Sequence, residues 1–376
     1  MRFNKLILKL KAYKRYLKYS KHFKHLLVLQ NIPNDKIEGE EEYVAYWRRL
    51  SSHVERYSYR FFSHYCGSSK CIVPEDIGHS YIEALFNPRG KTEYWEDKNL
   101  FPTYLPTGSV PQTILCRQNG GEIFDSKFAR VEDIDLFSNA TKIACYIARI
   151  AQGGVILKPS KGSSSGRGIM LFRYDESRKE YVSTTNQVLD GPFLETYRDD
   201  WVLQEVIEQH PYIAQFCHSS LNTMRIFTYR SVVDEQICIT AAALRIGHEG
   251  AIVDNLHAGG GMVGIDVKTG ELSKYVFDQY GNRTASLNTI NFLESTYRIP
   301  EWKKILDFCK NIASINTDCR LIALDIALDK NNNPRFIEWN VGGMGYPFWI
   351  PMMTGITPFG DKTDEIVDYC IKNKIT

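Results

Sequence analysis

The sequence predicts an α+β enzyme, and three observations carry that class. Residues 1–65 and 133–152 repeat apolar side chains at helical spacing; residues 155–172, 201–229 and 321–340 hold β-branched and aromatic runs bounded by turns; no internal repeat or low-complexity segment interrupts them. With 376 residues, 43% hydrophobic and 24% charged, the chain suffices for two or three packed lobes and falls outside the collagen-like, disordered and membrane-spanning classes. Its 46 basic and 44 acidic residues leave a formal charge of +2, too little for a molecule-wide field, so no nucleic-acid partner is expected. The cysteines number 9 and form no Cys-x-x-Cys pair, as in a reduced, cytoplasmic enzyme. Cys66, Cys71, His64 and His79 lie near one another in sequence, but their spacing matches no common zinc pattern.

Charge is uneven only at the front. Arg2, Lys5, Lys9, Lys11, Lys14, Arg15, Lys18, Lys21 and Lys24 precede the first acid, Asp35, while Leu6, Leu10, Tyr13 and Leu17 fall on one helical stripe. Two readings stand side by side: a basic amphipathic helix that meets an anionic membrane surface or a lipid-linked glycan, or a solvated helix packed by its leucine stripe on the rest of the domain. The stretch is short of the roughly 20 apolar residues that cross a bilayer. Ile32-Pro33-Asn34-Asp35 ends this helix, and a second helical stretch rich in aromatics runs to Tyr65. From Cys66 to Gly121 frequent glycine and proline predict short strands and loops. Helical spacing returns through Ile134, Phe137, Ala144 and Ile147, and Gly153-Gly154 ends it.

Val155-Ile156-Leu157-Lys158 then reads as a buried strand ending in a lysine, with Pro159 closing it. Gly162, Gly166 and Gly168 permit φ > 0 and close backbone approach, Ser163, Ser164 and Ser165 add hydroxyls, and Lys161 and Arg167 add charge before Ile169-Met170-Leu171-Phe172 resumes a strand. This is either a lid over phosphates or a plain hairpin tip; GxxxxGK[ST] is absent. Far downstream, Leu321 to Asp329 is a strand, Lys330 to Asn333 a polar turn, and Arg335-Phe336-Ile337-Glu338-Trp339-Asn340 the return strand. In such a hairpin Asp325 and Glu338 face each other, with Asn340 on the same side as Glu338. Two apposed carboxylates and an amide oxygen are hard ligands of the kind magnesium takes alongside nucleotide phosphates.

Lys-Pro-Ser with a Ser/Gly loop, followed in order by Asp325 and Glu338-Trp339-Asn340, resembles the ATP-grasp superfamily of carboxylate–amine ligases from about Asp97 to Gly345. Ser220-Leu221-Asn222-Thr223-Met224-Arg225 and Glu338 to Tyr346 look most like its sugar-transfer-associated branch, which accompanies bacterial surface-polysaccharide synthesis. The resemblance implies an ATP-grasp fold, two α+β lobes clasping the nucleotide, here with an additional helical N-terminal region. It implies ATP and two magnesium ions as cofactors. Lys98 and Lys158 would contact the phosphates under the lid of residues 161–168. Gln204, Glu205 and Ile207 would form the adenine hinge, Glu205 meeting the amino group, with Glu208 the candidate for the ribose. Arg245 resembles the family arginine near the transferring phosphoryl group. Since Ala323 stands where some ligases carry an arginine, Arg225 or Arg245 would do that work. Asn255, His257 and Gly259-Gly260-Gly261 would meet the substrate carboxylate, His257 either as base or as a positioning group. Asp325, Glu338 and Asn340 resemble the metal ligands.

The expected units are residues 1–65, a basic helical region; 66–152, the first α/β part of the grasp; 153–206, the lid subdomain; and 207–376, the lobe with the metal site. The expected reaction joins a sugar carboxylate or amino sugar to an amino acid or amine through an acyl phosphate. A sugar or glycan kinase, or a nucleotide-binding assembly protein of the same pathway, stays open beside it. Trp339, Tyr346, Phe348 and Trp349 would either stack on sugar rings or fill a core. The expected location is cytoplasmic, at the inner face of the membrane if the basic helix binds there. The residues leave open which amine and carboxylate meet and how many copies assemble.

Overall fold

The computed structural model describes residues 2–131, 134–162, 166–254, 256, 259–343 and 349–373, with side chains from residue 9 onward except those of 134, 135 and 349. Helices α1 (Arg2–Leu29), α2 (Glu40–Trp47) and α3 (Tyr57–Cys66) build the N-terminal region. They pack through Phe23, Leu26 and Leu27 of α1 against Trp47, Phe61 and Phe62. The face of α1 that packs is therefore not the leucine stripe: Leu10, Tyr13 and Leu17 stand in solvent.

Residues 66–111 depart from the expected strands and loops. They fold as α4 (Glu75–Ile77), a π-helical turn over Gly78–Ile82, α5 (Glu83–Phe86), α6 (Arg89–Glu96), a 3-10 turn over Lys98–Leu100 and α7 (Phe101–Tyr104). The prolines start these helices rather than break them. Pro74 and Pro88 occupy the capping position before α4 and α6 with ψ of 128° and 126°, and Pro102 sits in the first turn of α7, where no N–H is needed.

Strands β1 (Thr113–Arg117) and β2 (Ile123–Phe124) follow, then α8 (Ile134–Phe137), α9 (Ala140–Ala148), β3 (Val155–Pro159), β4 (Met170–Asp175), β5 (Glu180–Ser183), α10 (Gly191–Tyr197) and β6 (Trp201–Glu205). These strands form one antiparallel sheet in the order β2-β1-β6-β3-β4-β5, which joins segments on both sides of residue 153. One of its faces, with Val155, Leu157, Phe172 and Leu203, packs on Ile143 and Ile147 of α9 and Leu194 of α10. By alternation Ile156, Lys158, Val202 and Gln204 belong to the opposite face.

The rest of the chain supplies α11 (Pro211–Ala214), β7 (Thr223–Arg230), β8 (Ile237–Ile246), β9 (Gly261–Ile265), β10 (Leu272–Phe277), β11 (Arg283–Thr284), β12 (Ser286–Leu287), β13 (Ile290–Asn291), α12 (Trp302–Ile315), β14 (Leu321–Leu328), β15 (Pro334–Asn340), α13 (Trp349–Thr354) and α14 (Thr363–Lys372). Seven of these strands make a second antiparallel sheet, ordered β11-β10-β9-β8-β7-β14-β15. One face, with Ile226, Leu244 and Leu324, packs on α12 through Ile305, Cys309 and Ile312. The other, with Phe227, Tyr229, Ala243, Leu321 and Ala323, lies under the N-terminal helices, α13 and α14. Every residue of β14 is buried, as a strand covered on both faces must be.

Candidate active site

The second of those faces changes character along its strands. Phe227, Leu321 and Ala323 are apolar where helices cover them, and the same alternation then delivers Arg225 on β7 and Asp325 on β14. Register puts Asp325 opposite both Arg225 and Glu338, and Ala323 opposite Asn340. Between Asp325 and Ile326 the pairing slips by one residue: Glu338 opposes Asp325 but Phe336 opposes Ile326, leaving Ile337 as a bulge beside the carboxylates.

Charge is compensated here pair by pair. Arg225 donates from Nε to Asp325 Oδ1 and from Nη2 to Oδ2, each at 2.8 Å, and Arg245 Nη1 donates to Oδ2 at 2.6 Å. Burial works to raise the Asp325 carboxyl; Arg225 and then Arg245 outweigh it and hold the group below its usual range. Arg245 is fixed on its other side by Asp254 Oδ1 at 3.2 Å; burial works to lower its guanidinium, and Asp254 and then Asp325 outweigh it and leave the group more basic than usual. Asp254 accepts the Thr223 N–H at 3.0 Å and the Thr223 hydroxyl. Arg225 Nη2 also reaches Asn340 Oδ1 at 3.4 Å.

Lys98 completes the group from the other side of the cleft. Its ammonium lies 3.0 Å from Glu338 Oε2, and its backbone N–H donates to Ser160 O at 2.9 Å, which ties it to the end of β3 beside Lys158. The Lys158 side chain is buried and has no ion-pair partner among the described residues. Burial and the neighbouring charge of Lys98 push its ammonium down to about 7, with Glu338 partly offsetting them.

The loop after β3 joins two antiparallel strands. Gly162, Gly166 and Gly168 have φ of 63°, 70° and 80°. A Cβ on Gly166 would lie 2.9 Å from Val253 Cγ2, so this loop touches the segment leading to Asp254. Lys161 pairs with Asp200 at 2.9 Å, and Arg167 is exposed. Ser163, Ser164, Ser165, Asn255 and His257 lie outside the described residues, as do Tyr346 and Phe348.

At the expected hinge the polar roles are divided differently from the expectation. Glu205 is drawn to Arg335 of β15 at 2.6 Å and accepts the Gln112 N–H at 3.1 Å, so its carboxylate links the two sheets. Gln204 is the residue on the cleft face, and its buried Oε1 has no hydrogen-bond partner. Ile207 is half-buried, and Glu208 pairs with Lys330 at 2.8 Å. Trp339 is a core residue: it packs on Phe336 at 4.8 Å and Trp95 at 5.8 Å, and its Nε1 donates to the Tyr104 hydroxyl at 3.2 Å.

Sequence reasoning assigned no role to Glu96, Asp254 or Ser160. Glu96 accepts the Gly342 N–H at 3.1 Å and so holds the segment following Asn340; Asp254 buttresses Arg245; the buried Ser160 hydroxyl has no partner. Nothing local marks Glu96 or Asp254, because each meets its partner across more than one element. The residues fit a nucleotide: the buried Lys158 of β3, and two unpartnered polar atoms, Ser160 Oγ just past the end of β3 and Gln204 Oε1 on β6, lie on the side of the cleft. They also fit magnesium, since Asp325, Glu338 and Asn340 supply hard oxygen donors from one hairpin. Among the described residues no three His, Cys, Asp or Glu gather to hold a metal, which includes the Cys66, Cys71, His64 and His79 group; His79 instead bonds Glu75 and Glu83.

A family model described as sugar-transfer associated ATP-grasp matches residues 77–364. A search of curated proteins returns no match. Among solved structures, the chain is similar to the ATP-grasp ligase PsnB complexed with minimal precursor, at 14% identity over 75% of this chain and 62% of that one, with a TM-score of 0.36. It is similar to the L-amino acid ligase from Bacillus licheniformis at 11% identity over 75% and 49% of the two chains, TM-score 0.37. D-cycloserine synthetase DcsG gives 12% identity over 76% and 73%, TM-score 0.36. The chain thus spans 62% of the length of the first of these structures.

Proposed function

This chain belongs to the sugar-transfer-associated ATP-grasp family, and on that premise we propose that it is an ATP-dependent carboxylate–amine ligase. It attaches an amino acid or amine to a sugar by an amide bond in bacterial surface-polysaccharide synthesis. The observation that supports this most is the convergence on one cleft of Asp325, Glu338, Asn340, Arg225 and Arg245 from the large sheet with Lys98 and Lys158 at the edge of the small one.

In this reading Lys98 and Lys158 hold the triphosphate, and its charge returns Lys158 to the ammonium form. Gln204 offers an acceptor to the adenine amino group in place of Glu205, which Arg335 holds away. Asp325, Glu338 and Asn340 would hold two magnesium ions, which when bound neutralise the charge of the β- and γ-phosphates. A substrate carboxylate oxygen attacks the γ-phosphorus and the bond to the bridging oxygen breaks, giving ADP and an acyl phosphate. Arg225 and Arg245 stand by to offset charge on the equatorial oxygens. The amine nitrogen then bonds to the acyl carbon, inorganic phosphate leaves and the nitrogen loses a proton. Asn255 and His257 are the proposed contacts to the carboxylate. Contact between the lid and Val253 supports exclusion of water from the acyl phosphate.

Incubation with ATP, magnesium, a uronic acid and hydroxylamine tests the reading. A hydroxamate with release of phosphate is the expected outcome; a stable phosphorylated sugar would replace the ligase with a kinase. Glu338→Gln is expected to lower hydroxamate formation by at least about 100-fold with circular dichroism unchanged. Wild-type turnover in that variant would remove Glu338 from the metal site.

A further inference from the structure

Helix α1 uses only one side to fold. Phe23, Leu26 and Leu27 are buried, with Tyr19 half-buried beside them, and all lie within one arc of the helix. A separate arc carries Leu10, Tyr13 and Leu17, which are 53%, 43% and 49% exposed at the i, i+3, i+7 spacing of one stripe. Lys14, Lys18, Lys21 and Lys24 flank that stripe and are all exposed. The packing face alone accounts for the helix, so the leucines in water are unexplained by the fold of the single chain.

Two further features border the stripe. Tyr13 lies 5.9 Å from Tyr16 and 5.0 Å from His53, forming a small aromatic group at the edge of the helix. Next to it opens a recess of about 240 Å³ lined by Tyr16 and Ser20 of α1 and by Arg56, Tyr57 and Arg60. Arg60 is committed to Glu40 at 2.8 Å and to Asn34. Arg56 is not: it reaches Glu40 only at 3.6 Å, and its side chain is 41% exposed.

The geometry points to this face as a docking surface for an anionic phospholipid bilayer. Leu10, Tyr13 and Leu17 enter the boundary between headgroups and acyl chains, the lysines lie against lipid phosphates, and the recess beside Arg56 takes one phosphate headgroup. Charge selects the occupant: the first 34 residues hold no acid, against a near-neutral whole, and amphipathic aromatics at the edge suit the interface of a bilayer. No helix among the described residues is long and apolar enough to cross a membrane. This inference is independent of the ligase reading, since none of its residues belongs to the cleft.

The test is sedimentation of the full chain with vesicles of phosphatidylcholine alone and with about one third phosphatidylglycerol. Binding at least ten-fold stronger to the anionic vesicles, weakened by salt, is expected. The pair Leu10→Asp with Leu17→Asp and the pair Lys14→Glu with Lys21→Glu should each reduce it at least ten-fold, and Arg56→Ala by a smaller factor. Leu10, Lys14, Leu17 and Lys21 are exposed, and for both pairs thermal unfolding and hydroxamate formation without vesicles are expected to stay at wild-type values. Equal binding to both vesicle types, or anionic binding that survives both pairs, overturns the proposal. Retention only on membranes that keep their proteins assigns the face to a protein partner and overturns it as well.

Discussion

At the cleft, Asp325 is 1% exposed and held between two guanidiniums, and its carboxyl stays below the usual range. In the helical region Glu55 is 1% exposed and Asp76 3%, with no cation paired to either among the described residues. Burial pushes Glu55 up to about 7, against hydrogen bonds from the Tyr57 and Ser58 N–H groups, and Asp76 up to about 8. Asp76 Oδ1 is buried without a partner. Equal burial therefore has two outcomes. Where register brings Arg225 and Arg245 onto the carboxylate, the charge is kept; where the neighbours are Tyr43, Ser58 and another acid, a proton is kept in its place.

The largest test of that contrast is Asp325→Asn. It leaves two part-buried guanidiniums facing an amide, of which Arg245 keeps Asp254, so a loss of about 2–4 kcal/mol in denaturant unfolding is expected, with hydroxamate formation down by roughly 1,000-fold or more. A variant as stable as wild type would show that the arginines do not depend on Asp325, and the two regions would no longer differ.

Asp76→Asn tests the other side. The folded carboxyl is raised from 3.8 to about 8, so across that window the folded chain keeps a proton that the unfolded chain releases. Stability therefore falls as pH rises through the window and levels off above it. The substitution is expected to flatten this dependence, on the order of a few kcal/mol between roughly pH 5 and 8. Parallel stability–pH curves for wild type and variant would mean that Asp76 is ionised in the fold.

The smallest effect concerns Lys158, the uncompensated charge within the cleft itself. Its ammonium is lowered from 10.5 to about 7, and a triphosphate would raise it again. Binding of ATP with magnesium should therefore take up close to one proton at roughly pH 8 and little at roughly pH 6. Calorimetry in buffers of different ionisation heat reads this directly. No uptake at the higher pH would make Lys158 charged from the outset, like Asp325.

The parts of the site that were legible in the sequence are those governed by local rules. The pairing of Asp325 with Glu338 follows from one hairpin, and the positive φ of Gly162, Gly166 and Gly168 from one turn. Residues 66–111 were misread because proline marks a helix start as readily as a loop, and only the cap geometry at Pro74 and Pro88 separates the two. The leucine stripe of α1 was visible, but an amphipathic period does not say which side finds a core. The pairing of Glu205, expected at the adenine, with Arg335, 130 residues away, has no local signal.

What the sequence by itself determined is the alternation: period two puts Leu321, Ala323 and Asp325 on one face of β14 and Ile322 and Leu324 on the other. Tertiary structure decided where along that face the helical cover ends. Leu321 and Ala323 fall under the N-terminal helices, α13 and α14, while Asp325 emerges beside Arg225, Arg245 and, across the hairpin, the Lys98 side of the cleft. The reason is that side-chain direction is set by the backbone of the strand itself, whereas burial and charge compensation depend on partners from distant segments, whose positions no local pattern encodes.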